Sequence, residues 1–387
     1  MLPVLVACFL FVWWAQPPAP SAFYTPPDPL PAGSPGTIIR DDGIDDVGDG
    51  QRAWRVLYTS TDPAGAPIAV SGVVVAPDAD PPDGGWPVVA WAHGTTGVDR
   101  RCAPSIDYPE GGLERVPELD ELVAAGNVVA ITDYPGLGTP GPHPYLVGES
   151  EGRAVLDSIR AARSLLGADA VASTAAVYGH SQGGHASVWA DQIAAGYAPE
   201  LHIAGVAAMA PPTDLATLLD DDVKEADGIV LAGLAISSWA DYYPDADEAA
   251  IVEPAARPFV DDLGGKCIAT AAQGLTDIPD VAALAVTFLS QDPATAPGWS
   301  DRLRENGPGD VSTTIPLLVA QGLSDTLVRP EVTTDYVDAQ CAAGASIQYT
   351  TYPNTGHFAV RTVAAPMVRD WLLARLRGEP TDPGCTS

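Results

Sequence analysis

The chain has 387 residues, with 19 Lys plus Arg against 50 Asp plus Glu, a formal charge of −31, and 46% apolar residues. That apolar share excludes a disordered chain, and the length supports one large α/β domain or two smaller ones. A surface this acidic repels phosphate backbones and anionic membranes, which excludes nucleic acid as a partner and leaves only apolar contact with lipid.

Residues 1–14 (MLPVLVACFLFVWW) form an apolar run followed by a Pro/Ala stretch. The run is too short to span a bilayer as a helix and reads as the core of a secretory signal. Leu5-Val6-Ala7-Cys8 has the outline of a lipoprotein box, but apolar residues rather than a polar tether follow Cys8. Residues 1–22 are therefore expected to be a signal peptide cleaved near Ser21 or Ala22, leaving a secreted chain without an integral membrane segment. Cys102, Cys267, Cys341 and Cys385 then remain. An even number in an exported chain points to two disulfides, with three pairings open. No two of them stand at the C-x₂₋₄-C spacing of a metal site.

Eight prolines between residues 17 and 36 predict an extended surface arm, taken here as residues 23–50. Within it, the acidic stretch from Asp41 to Gly50 resembles a calcium loop, but Val47 breaks the ligand series and no Glu follows. It reads as a solvated turn.

Beyond the arm, short β-rich runs alternate with helical patterns. Strands are predicted at 54–60, 67–75, 87–92, 127–132, 174–178, 202–209, 314–320 and 346–352, the first two as an antiparallel hairpin. Helices are predicted at 117–125, 151–166, 183–195, 331–343 and 366–377. Runs that are apolar throughout and separated by helices imply a mostly parallel sheet covered on both faces, an α/β fold. The core is assigned to 51–210 and 312–387. Segment 211–311 is too long for a connection and carries helical patterns at 214–224, 228–240 and 277–289. It is read as an inserted helical lid over one end of the sheet.

G-x-S-x-G occurs twice, at Gly148-Glu149-Ser150-Glu151-Gly152 and Gly179-His180-Ser181-Gln182-Gly183. A nucleophile elbow needs a strand before the serine and a helix after it. Ser181 has both. Ser150 follows a Gly/Pro loop and reads as the N-cap of the next helix.

A serine needs a base, and in an α/β-hydrolase the order is Ser, acid, His. Only His202 and His357 follow Ser181. His202 opens a strand before any acid loop, whereas His357 lies just past the last strand. Asp325, on the loop after strand 314–320, is placed to hold the imidazole. Asp335 and Asp338 fall in the following helix, and Asp133 precedes the nucleophile, where it serves as a hydrogen-bonding loop residue. For the oxyanion, one donor is the N–H of Gln182, directly after Ser181. The other comes from His93-Gly94-Thr95-Thr96-Gly97 after strand 87–92, with Thr95 preferred and Thr96 the alternative register.

Taken together, the Phe23–Pro27 arm, HGTTG with Cys102-Ala103-Pro104-Ser105, Asp133-Tyr134-Pro135-Gly136-Leu137-Gly138, GHSQGG, GLSDTLV and the His357 loop resemble the secretory lipase family. The resemblance implies an α/β-hydrolase fold, a Ser181/Asp325/His357 triad, a lid between the sixth and seventh strands, and disulfides Cys102–Cys267 and Cys341–Cys385. The expected activity is hydrolysis of carboxylic esters, most of all triacylglycerols, through an acyl-enzyme on Ser181. A soluble esterase of short-chain or polyester substrates is the alternative, ahead of a serine exopeptidase or a non-catalytic relative. Neither a metal nor an organic cofactor is required by this chemistry, and a monomer is expected.

Overall fold

A computed structural model describes residues 17–45, 47–108, 116–224, 226–268, 288–309, 314–380 and 384–385. The apolar run expected to be a signal, at residues 1–14, and nearly all of the helix predicted at 277–289 lie outside these residues.

Nine strands form one sheet: β1 (Ile38–Ile44), β2 (Gln51–Thr61), β3 (Pro67–Pro77), β4 (Trp86–Ala92), β5 (Val128–Thr132), β6 (Val171–His180), β7 (His202–Met209), β8 (Leu317–Gly322) and β9 (Ile347–Tyr352). Their spatial order is β1-β2-β3-β5-β4-β6-β7-β8-β9. The first three strands pair antiparallel, as does β3 with β5, and every pairing from β5 through β9 is parallel. The predicted hairpin is β2–β3.

β1 revises the reading of the acidic stretch. Asp41 and Asp42 lie in a strand, opposite Val56 and Arg55 of β2. Both are exposed. A charged outer strand is a common way of blunting a sheet edge against further pairing, so these residues combine strand backbone with solvated side chains.

Helices cover both faces. One layer contains α2 (Gly148–Leu166), α3 (Gln182–Tyr197) and α9 (Pro330–Ala342), packed over Val88, Ala90, Val177 and Val319. The opposite layer contains α1 (Leu119–Ala124) and α10 (His357–Leu376), over Val89, Trp91, Tyr178 and Leu318. The C-terminal helix starts nine residues before its predicted start. Pro366 reads locally as a helix beginning, yet it stands inside α10, which the burial of Val360 and Ala364 before it and of Val368 and Leu372 after it sustains.

Between β7 and β8 the described chain is helical: α4 (Leu215–Asp222), α5 (Ala226–Tyr242), α6 (Glu248–Ile251), α7 (Arg257–Gly264) and α8 (Trp299–Asn306). This insert has an apolar core of its own, in which Trp239 and Trp299 stack at 6.0 Å between ring centroids. The chain's two lysines both lie in it, Lys224 paired with Asp220 and Lys266 with Asp262. A disulfide joins Cys267 in the insert to Cys102 beside the HGTTG loop, and a second joins Cys341 to Cys385. Among the described residues no helix is long and apolar enough to cross a membrane.

Candidate active site

The order of strands reverses at β4: β5 lies on one side and β6 on the other. In open α/β sheets the crevice beyond the strand C-termini at such a switch point is where ligands bind. The HGTTG loop follows β4, Ser181 follows β6, Asp325 follows β8 and His357 follows β9.

Ser181 occupies the turn between β6 and α3 with φ 56° and ψ −120°. A positive φ costs a side-chain-bearing residue, and here neighbours enforce it. The Ser181 N–H donates to Met209 O on β7 at 2.9 Å, and its carbonyl accepts from His185 N at 3.0 Å. The flanking glycines are required by contact. A Cβ on Gly179 would lie 2.1 Å from Gly183 O, and one on Gly183 would lie 1.8 Å from Ala92 O.

The Ser181 hydroxyl is 2.8 Å from His357 Nε2, and His357 Nδ1 is 2.8 Å from Asp325 Oδ2. The carboxylate accepts only, so Nδ1 carries the proton and Nε2 accepts from the serine. Asp325 is fixed on its other side by the N–H groups of Leu327 and Val328, each 2.9 Å from Oδ1, and by Gln321 Nε2 at 3.2 Å from Oδ2. All three residues are buried. A serine within reach of an imidazole oriented by a carboxylate is arranged for nucleophilic acyl transfer.

Gln182 is the first residue of α3, so its N–H has no carbonyl one turn back to bond. Thr95 is half-buried, with Oγ1 2.8 Å from Tyr145 OH. Thr96 is buried, and its carbonyl accepts from Ile268 N of the insert at 2.8 Å.

The other singled-out residues lie apart from this chain of bonds. His202 is exposed at the start of β7, and Asp335 and Asp338 are exposed on α9. Asp133 is buried and accepts from Ser71 Oγ at 2.6 Å, from Ser105 N at 2.9 Å and from Ser105 Oγ. Burial raises its carboxyl above the usual range. Ser105 also meets Tyr24 OH at 2.9 Å, so Asp133 anchors the N-terminal arm. Ser150 is not an N-cap: α2 begins at Gly148 after Val147, and Ser150 is buried inside its first turn. The glycines of this second motif serve packing instead. A Cβ on Gly148 would meet Trp189 at 2.0 Å, and one on Gly152 would meet the Ala190 backbone at 3.0 Å.

Glu151, in the same motif, carries a role that sequence reasoning passed over. It is fully buried and contacts Gln182 and His185. A signal was available: Glu151 shares a helix face with Val155, Ser158 and Ala162, all buried, so its spacing puts it inside.

Beside Ser181 is an apolar cavity of about 60 Å³, walled by Tyr145 and Leu327 of the core and by Leu219, Ala235, Ile236 and Trp299 of the insert.

The family model described as Secretory lipase matches residues 117–384. Lipase 10 of Candida albicans is 25% identical, over 99% of this chain and 86% of that protein. A probable inactive lipase of Mycobacterium tuberculosis is 26% identical, over 94% and 83%. Among solved structures, Candida antarctica lipase A in its closed state superposes with a TM-score of 0.81 at 21% identity, over 96% of this chain and 89% of that one. The rice cell wall degrading esterase LipA of Xanthomonas oryzae follows at 0.72 and 20%, over 89% and 100%. These likenesses establish the α/β-hydrolase fold, and the match to the family model places the chain in the secretory lipase family.

Proposed function

We propose that the protein is a secreted triacylglycerol lipase working through an acyl-enzyme on Ser181. The observation that carries this reading is the bonded series Asp325–His357–Ser181, set in an elbow that opens on an apolar cavity. Ser181 Oγ attacks the ester carbonyl as its proton passes to His357 Nε2. The N–H groups of Gln182 and Thr95 hold the oxyanion. His357 then gives the proton to the leaving alkoxide, releasing the alcohol and leaving the acyl group on Ser181. Water, deprotonated by His357, attacks the acyl carbon, and the serine regains its proton as the acid departs. Asp325 orients the imidazole and offsets its charge while it is protonated. The insert, as a lid, supplies most of the apolar wall that receives the acyl chain.

A second reading, an esterase of short acyl chains, is favoured by the size of that cavity. About 60 Å³ is less than half of a cavity known to hold benzene, about 150 Å³, so only a few carbons fit without movement of the insert.

Replacing Ser181 with Ala tests the mechanism. Turnover of p-nitrophenyl butyrate is expected to vanish with the melting temperature retained, while Ser150→Ala stays active. Full activity in Ser181→Ala would refute the assignment. Rates on dissolved and emulsified esters of increasing acyl length separate the readings: a rise above the solubility limit marks the lipase.

A further inference from the structure

The segment from His143 to Glu151 touches both proposed oxyanion donors, and each contact is made by a buried side chain. Tyr145 OH lies 2.8 Å from Thr95 Oγ1. Glu151 Oε1 accepts from Gln182 Nε2 at 2.8 Å, and His143 Nε2 stands 3.1 Å from the same nitrogen. His143 is neutral, because burial pushes it down to about 3. Its Nδ1–H donates to Pro135 O at 2.9 Å, so Nε2 is an acceptor. Both hydrogens of the Gln182 amide are thus committed, one to Glu151 and one to His143.

Glu151 is fixed in turn. Its Oε1 also accepts from Leu146 N at 2.9 Å, and Oε2 lies 2.9 Å from His185 Nδ1. His185 Nε2 faces a second acceptor, Asn306 O, at 2.8 Å. His185 is thus held between a carboxyl group on one ring nitrogen and a carbonyl on the other. A buried carboxyl group with three hydrogen bonds holds its position firmly.

We infer that Tyr145 and Glu151 are positioning residues for acyl transfer, setting the Thr95 and Gln182 N–H groups at the distance the tetrahedral oxyanion needs. The inference rests on the proposed Ser181 chemistry. Oxyanion donors act through preorganisation, so a donor displaced by a fraction of an ångström costs rate more than substrate binding. The second G-x-S-x-G motif thereby has a purpose. Its glycines let α2 approach α3 closely enough for Glu151 to reach Gln182, and its serine is incidental.

Tyr145→Phe removes one hydroxyl and keeps the ring. Glu151→Leu removes the acceptor for Gln182, and Glu151→Gln restores it: the Gln carbonyl accepts from Gln182 and Leu146 while its amide faces His185 Nδ1. Competent sites are counted by titration with a fluorophosphonate, and rates on a dissolved butyrate ester are given per competent site. For Tyr145→Phe and Glu151→Leu we expect kcat to fall about tenfold, with KM within about twofold. Inhibition by a trifluoromethyl ketone, whose adduct carries the oxyanion, should weaken by the same factor. Glu151→Gln should recover most of the rate. Unchanged kcat per site in Tyr145→Phe, or lost kcat with undiminished ketone affinity, overturns the inference even if Glu151→Leu does not fold. Ser181→Ala, measured alongside, isolates the underlying reading: activity there refutes the nucleophile itself, a result distinct from failure of the two positioning variants.

Discussion

The rings of His180 and His357 lie 4.8 Å apart between centroids, and His180 Nε2 is 2.9 Å from the backbone carbonyl of His357. His180 is the residue just before Ser181, so the elbow holds the start of α10 directly. The N–H of His180 Nε2 donates to that carbonyl. Burial, and after it the neighbouring His357, keep the His180 ring well below the usual histidine range. It therefore stays neutral and does not oppose the positive charge that His357 acquires in the proposed acyl transfer. His180→Phe keeps an aromatic ring but removes the donor. We predict a kcat loss of about three- to tenfold, the value of one hydrogen bond, with little change in KM. Steady-state kinetics on a dissolved ester check it, and an unaltered kcat would refute the role.

Acid should destabilise the fold through two histidines. When unfolded, each takes a proton below about pH 6.5. Folded, His143 and His180 are kept neutral mainly by burial, with His143 protonating only at about 3. The unfolded chain thus binds more protons as pH falls from 6.5, and stability drops by up to about 1.4 kcal/mol per pH unit for each histidine. Asp133 and Asp157, raised mainly by burial, act in the opposite sense and offset part of the loss. Their native proton affinity adds stability toward low pH and is lost as pH rises. His143→Gln removes one titrating group while keeping a donor and an acceptor. Its denaturation midpoint should fall less steeply than the parent's between pH 6.5 and 4.5; parallel curves would contradict this.

Glycine 183 tolerates no side chain. A methyl group there would sit 1.8 Å from Ala92 O, a backbone atom that cannot swing aside. Gly183→Ala is expected to cost about 3 kcal/mol or more and to abolish turnover by shifting α3. Gly196, near the end of the same helix, has nothing within 4 Å of its would-be Cβ. Gly196→Ala should therefore stabilise by about 0.5–1 kcal/mol. Urea denaturation of both variants checks the contrast.

Ala235 faces the cavity beside Ser181 from α5. Ala235→Phe should fill it, lowering kcat/KM for octanoate esters about tenfold or more relative to acetate esters, as expected for the loss of several buried methylenes. An unchanged octanoate-to-acetate ratio would show that the acyl chain lies elsewhere.

Much of the site could be read locally because its requirements are local. Ser181 is distinguished from Ser150 by the strand before it, and Asp325 and His357 by the strands they follow. Glu151 escaped because an acidic residue in a helix's first turn ordinarily reads as solvated. Its partner His185 stands 34 positions away and is held in turn by Asn306, 121 positions further on, and burial arises only when α2, α3 and α8 meet. Ser150 was misplaced for the same reason. Capping chemistry is generic, while the close approach of Gly148 to Trp189 is a tertiary contact. At Asp41 and Asp42, composition described the side chains correctly and missed the backbone, whose strand pairing depends on β2 being adjacent.

Both lysines lie in the insert, with side chains 55% exposed at Lys224 and 34% at Lys266. Apart from the chain's α-amino group, amine-directed reagents therefore have targets only on the insert, whose helices α4, α5 and α8 wall the cavity. Coupling to an aldehyde or activated-ester resin would tether the enzyme by the insert, restraining the part that, under the proposed lipase function, yields to a long acyl chain. A lysine introduced on the far side, for instance at the exposed Arg377 after α10, would give the resin a hold on the sheet and its helices instead.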